Sequence, residues 1–130
     1  MSNPRVFVDA DVIFCGAVAP TGHGASLVIL RLAEITLIDA VTSVQAVTEA
    51  ERNLAVKLPR ALPAFRLLVD RSLRVIPDPT PADREPFAGA ADPKDLPILV
   101  AALQSGCPYL VTFNGRHFRP GHPAITDRKS

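Results

Sequence analysis

Asp9 and Asp11 stand one residue apart at the end of an apolar run, in the stretch RVFVDADVIF of residues 5–14. Charge beside a core edge is costly unless something compensates it. A helix cap is the plain structural role open to Asp9. A second acidic pair, Asp92 and Asp95, opens a later apolar segment, Glu49 lies between the two pairs, and Asn114 follows another apolar run. Two carboxylates about 4 Å apart repel by roughly 4 kcal/mol at an effective dielectric of 20. A cluster of three therefore needs a proton or a cation. Oxygen donors without Cys or His suit a hard ion, Mg²⁺ or Mn²⁺. Such an ion lowers the pKa of a water, orients it, and neutralises charge developing on a phosphate.

The elements that must position these acids follow from the apolar pattern. Arg5–Val8 reads as a buried strand, because Val6, Phe7 and Val8 are β-branched or aromatic without polar alternation. A short helix is expected through Ala17, a turn over residues 20–24, a helix over 25–34 and a second strand over 37–41. Thr42-Ser43-Val44-Gln45 reads as a capping box with Thr42 as N-cap, starting a helix through Lys57 that Pro59 stops. A helix over 61–72 and a third strand over 74–76 come next, then a loop over 77–91. Residues 92–105 form a nearly all-apolar helix with Pro93 and Pro97 in its first turn, closed by Gly106. Residues 109–113 are the fourth strand. Strands alternating with helices imply a parallel sheet covered on both faces. In such a sheet ligands bind past the carboxyl ends of the strands, where Asp9, Glu49, Asp95 and Asn114 can meet.

Bulk properties narrow the classes. The chain of 130 residues suits one domain, 1–130, and its 48% hydrophobic content supplies a core. Fourteen Lys plus Arg against thirteen Asp plus Glu leave +1, so any basic footprint for nucleic acid must be local. No signal peptide or membrane span is expected, and Cys15 and Cys107, far apart and in apolar surroundings, read as reduced core residues of a cytoplasmic protein. The thirteen prolines cluster at loops and helix starts.

The segments VFVDADV, SVQAVTEAERNL and DPKDLPILVAALQSGCPYLVTFNGRHF carry a specific resemblance. They resemble the PIN domain, the nuclease fold of VapC-type toxins of bacterial toxin–antitoxin pairs, over residues 5 to about 118. The resemblance implies a three-layer α/β/α sandwich with a parallel central sheet, and a metal-dependent endoribonuclease using Mg²⁺ or Mn²⁺. The family's acids fall on Asp9, Glu49 and Asp95, and its fourth position, usually Asp, falls on Asn114. Asp9 and Asp95 would be the metal ligands, and Asp11, Asp92 and Thr112 would support them. Arg52, Arg116 and His117 are the candidates for substrate contact. RNA, a cognate antitoxin protein and a second copy of the chain are the implied partners. Two departures stand out. Asn114 lacks a charge, which Asp11, standing where the family commonly has Asn or Ser, can partly restore. The residues after Phe118 leave room for a final strand that is short or missing.

Each role has a rival. Asp92, just before Pro93, reads as the helix cap and Asp95 as the ligand. Glu51 competes with Glu49, because on a helical wheel it falls on the Val44, Val47, Leu54 and Leu58 stripe. Arg52 can pair with Glu49 or meet phosphate. His23, His117 and His122 read as surface or loop histidines, and Arg60, Arg66, Arg71 and Arg74 as a solvated face. A catalytically weak PIN-fold module that binds RNA or protein is one alternative function. A haloacid-dehalogenase-like phosphatase is the other, since a strand followed by DxD resembles its nucleophile motif. In that superfamily the acidic pair follows the Thr-ended strand, whereas here Asp92 and Asp95 precede LVTF.

Overall fold

The structure is a computed structural model that describes residues 3–18, 31, 33–34, 37–113 and 115–118. Strand β1 (Arg5–Val8) leads into helix α1 (Ala10–Val18), and β2 (Asp39–Ser43) runs straight into α2 (Val44–Lys57). Helix α3 (Leu62–Ser72) precedes β3 (Arg74–Ile76), followed by the single turn α4 (Pro81–Arg84), then α5 (Leu96–Gln104) and β4 (Tyr109–Val111). The strands form one parallel sheet in the order β3-β2-β1-β4, with Phe7 paired to Val41 on one side and Leu110 on the other. The chain thus moves outward from β1 in one direction and returns to its opposite side, placing a switch point between β1 and β4. Open parallel sheets form ligand crevices at such points.

Parallel strands are covered on both faces, which is why β1 is apolar without alternation: Phe7 and Val8 are fully buried. Helices α1, α2 and α3 pack on one another around Ala46, Ala50, Leu54, Phe65 and Val69. The all-apolar α5 has a double duty. Ile98, Ala101 and Ala102 join that main core, while Leu99 and Val100 build a second with Phe87, Ala90 and Ala91. An α/β/α arrangement results, as the sequence implies.

Several boundaries differ from the sequence reading. Strand β2 begins at Asp39, not Leu37, and continues through Ser43, because Thr42 and Ser43 pair with Val75 and Ile76 of β3. The cap of α2 consequently moves one residue. Ser43 is the N-cap, accepting from the Ala46 N–H at 3.2 Å, while the buried Thr42 hydroxyl donates to the Val8 carbonyl at 2.8 Å. The expected loop over 77–91 holds α4, which carries a full capping box: Thr80 Oγ1 accepts from the Asp83 N–H and Asp83 Oδ2 from the Thr80 N–H. The final helix starts at Leu96 rather than Asp92. Residues 92–95 form a turn in which the Asp92 carbonyl accepts from the Asp95 and Leu96 N–H groups. Gly106 ends the helix with φ +72°, as its position predicts. Strand β4 stops at Val111, because Thr112 and Phe113 turn to the acids. The expected turn over 20–24, most of the helix over 25–34, Asn114, His23, His122 and any strand after Phe118 lie outside the described residues.

Candidate active site

Asp9 follows β1 at the switch point and is 5% exposed. Its N–H continues the ladder to the Val111 carbonyl, and its own carbonyl accepts from Val12 and Ile13 as α1 begins. Its carboxylate accepts from the Ala10 N–H at 2.7 Å through Oδ1 and from the Thr112 hydroxyl at 2.8 Å through Oδ2. Burial pushes the pKa up to about 6; the Thr112 and Ala10 hydrogen bonds oppose that rise, and the charges of Asp11 and Asp95 add to it. Asp9 therefore does contact the helix start, but its second oxygen is turned to Thr112, in the segment after β4. The neighbouring Asp11 ties down the segment after β4, its Oδ2 accepting from the Phe113 N–H at 3.1 Å.

Asp95 occupies the N-terminal position of α5, yet its side chain makes no capping bond. The expected division, with Asp92 as the cap, is corrected by this geometry: Asp92 serves the helix through its backbone carbonyl. The Asp95 carboxylate instead meets His117, whose Nδ1 lies 2.9 Å from Asp95 Oδ2 and 3.9 Å from Asp92 Oδ2. His117 is thus no loose surface histidine. It sits in a 3₁₀ turn over Gly115–His117, its carbonyl accepting from the Asp92 N–H at 2.8 Å, and Phe118 bridges to Ala91.

Glu49 is exposed on α2 and shares a cleft of about 470 Å³ with Asp95, Thr48, Arg52 and Lys94. The rival Glu51 faces α3, 3.7 Å from Arg66. Gln45 holds the two walls together: its N–H donates to Asp78 Oδ1 and its amide to the Lys94 carbonyl. Arg52 lines the cleft without an ion pair to Glu49 among the described residues, and Arg116 is exposed on the 3₁₀ turn. The structure thus gathers Asp9, Asp11, Asp95 and Thr112, sets Asp92 and His117 beside Asp95, and places Glu49 and Arg52 across the cleft. Lys94, Gln45 and the His117 contact escape sequence reasoning. The DPKD turn points to Lys94 only once Asp95 is assigned, and nothing local pairs His117 with a turn earlier in the chain.

The donor set suits a divalent cation. Asp92, Asp95 and His117 each offer a ligand atom, and the three atoms lie within 4.8 Å of one another. Asp9 stands outside that trio, a buried carboxylate that accepts from a hydroxyl and a backbone N–H. Burial raises the pKa of both thiols, Cys15 and Cys107, so neither has the activated character of a nucleophile. A larger cavity of about 670 Å³ lies at the opposite edge of the sheet, lined by Arg5, Asp39, Arg71 and Arg74. Its acid, Asp39, is paired with Arg5 and Arg74, so size alone does not mark the functional end.

The fold and the site define an open parallel α/β domain with carboxylates collected at its switch point. Within that class the assignment is specific. The PIN domain family profile matches residues 5–116, and the chain belongs to the PIN-domain family. Among solved structures it is similar to VapC20 of Mycobacterium tuberculosis, described as a toxin cleaving the sarcin–ricin loop. The likeness has a TM-score of 0.61 and 17% identity, over 85% of this chain and 90% of that one. At that identity the likeness speaks for the fold. Comparison with curated proteins gives no match. Family membership displaces the haloacid-dehalogenase-like alternative.

Proposed function

We propose that this PIN-domain protein is an endoribonuclease dependent on Mg²⁺ or Mn²⁺ and the toxin of a toxin–antitoxin pair. The observation that carries the reading is Asp9: a buried carboxylate, its pKa raised to about 6, facing other acids at the switch point. Retaining such a group costs stability, and a cation recovers it. Asp9 and Asp95 would hold the ion, which when bound would supply Lewis-acid neutralisation of phosphate charge and a lowered pKa for water. Thr112 fixes the Asp9 carboxylate through its 2.8 Å hydrogen bond, and Asp11 anchors the segment that presents Thr112. Glu49, across the cleft, would hold the attacking water, and position 114 carries a neutral Asn where the family usually has Asp. Arg52 and Lys94, which line the cleft, would contact the phosphates of the substrate, with the exposed Arg116 as a further contact. RNA is the substrate class by family membership, and the similarity to VapC20 favours a toxin role.

The same reading takes residues 1–130 as a single cytoplasmic domain. Among the described residues no helix is long and apolar enough to cross a membrane. A cognate antitoxin and a second copy of the chain are its protein partners. The test is cleavage of a panel of structured and single-stranded RNAs by antitoxin-free protein with Mg²⁺, Mn²⁺ or EDTA, beside Asp9→Asn. Metal-dependent cutting lost in EDTA and in the variant is expected. A folded protein that binds RNA but never cuts would leave the weak-module alternative, which the missing charge at Asn114 favours.

A further inference from the structure

The His117 imidazole has no role in an all-carboxylate centre, yet it is built into this one. Its ring is half-buried, and its backbone is pinned by the Asp92 N–H bond to its carbonyl, which belongs to the Ala91–Phe118 bridge. That framework sets Nδ1 2.9 Å from Asp95 Oδ2 and 3.9 Å from Asp92 Oδ2. Two ligands bound at about 2.1 Å to one octahedral ion, at right angles, lie about 3 Å apart. The His117–Asp95 spacing thus matches two neighbouring positions around a single cation. The plain alternative is that His117 donates a hydrogen bond to Asp95 and only holds it in place. These two roles demand different chemistry from the ring: a donor N–H at Nδ1 in one case, a lone pair there in the other.

We infer that His117 is a direct ligand of the cation held by Asp95, with Asp92 beside it, and that this imidazole makes the centre select Mn²⁺ over Mg²⁺. The inference rests on the metal-dependent reading above and narrows it. Carboxylate oxygens serve Mg²⁺ and Mn²⁺ alike, whereas an imidazole nitrogen suits first-row transition ions and gives little to Mg²⁺. With its proton on Nε2, the ring presents Nδ1 to the ion while Asp95 presents Oδ2.

The experiment measures Mn²⁺ uptake by the whole chain from loss of the free-ion electron paramagnetic resonance signal, with Mg²⁺ affinity from competition. Electron spin echo modulation of the bound Mn²⁺ then reports any nitrogen ligand. Wild type is expected to show imidazole nitrogen modulation. His117→Asn keeps a hydrogen-bond donor where Nδ1 stood but removes the imidazole. It is expected to lose the modulation and at least tenfold in Mn²⁺ affinity, with Mg²⁺ affinity changed less than threefold. Bound Mn²⁺ without nitrogen modulation in wild type overturns the inference and leaves the metal-dependent nuclease standing. Equal losses of both metals in His117→Asn, or no loss of either, assign His117 to positioning and likewise overturn it. No Mn²⁺ uptake at all removes the metal-dependent reading itself. A wild-type spectrum without nitrogen modulation overturns the inference even if the variant fails to fold.

Discussion

Asp39 and Asp9 stand at opposite ends of adjacent strands and receive opposite treatment. Asp39, at the amino edge, lies between Arg5 at 3.2 Å and Arg74 at 3.3 Å, in partial contact with water. Asp9, at the carboxyl edge, is buried, and the charges that reach it are those of Asp11 and Asp95. One end of the sheet neutralises its acids; the other accumulates them. A fold that can pair an aspartate at one edge has no structural need to leave another facing its own kind. The contrast is the support for proposing the carboxyl edge as the functional end, despite the larger cavity at the amino edge.

Substitutions at the two ends should separate them most widely in catalysis. Asp9→Asn and Asp95→Asn are expected to lower single-turnover RNA cleavage with Mn²⁺ by about 10³-fold or more, the several kcal/mol that a held cation contributes. Asp39→Asn should leave that rate within about twofold, and a comparable loss there would erase the distinction.

Proton linkage sharpens the contrast. Asp9 binds its proton more tightly folded than unfolded, because burial lifts its pKa from 3.8 to about 6. Between those values the native state holds more protons, so Asp9's contribution to stability falls as pH rises through that window and stays low above it. Denaturant titrations of metal-free wild type and Asp9→Asn should diverge from pH 4 to 6, with the variant gaining up to about 3 kcal/mol on wild type. Parallel curves would contradict the burial argument.

Smaller effects follow from the supports. Thr112→Val removes the hydroxyl that bonds Asp9 and should cost about 10- to 100-fold in metal affinity by calorimetry, as loss of an orienting partner does. Ser43→Ala deletes the α2 cap and should cost about 1 kcal/mol in thermal unfolding, where Thr42→Ser, which keeps a hydroxyl for Val8, should cost less. Asp39→Asn breaks only exposed pairs and should cost no more than about 1 kcal/mol.

The elements with an uninterrupted apolar signal were legible in the sequence. Arg5–Val8 and Arg74–Ile76 match the expected strands, and the parallel sheet follows from their alternation with helices. Boundaries failed where pairing overrode local pattern. Leu37 is apolar but 57% exposed, while polar Thr42 and Ser43 complete β2, because the ladder to β3 extends that far. The loop over 77–91 hid a TPAD capping box that prolines made look irregular. Asp9 and Asp95 carry recognisable flanking sequence, whereas His117 reaches Asp95 only when the turn after β4 folds back on residues 91–95. Contacts of that kind have no signature in either segment alone.

The most direct test of an acidic edge kept for a cation is thermal unfolding of wild type and Asp9→Asn at pH 8, without metal and with saturating Mn²⁺. Without metal, Asp9→Asn should be the more stable protein. At about a thousand times Kd, Mn²⁺ should add roughly 4 kcal/mol to wild type and far less to the variant, reversing the order. An unchanged wild-type midpoint in Mn²⁺, or a variant already less stable without metal, would contradict the account.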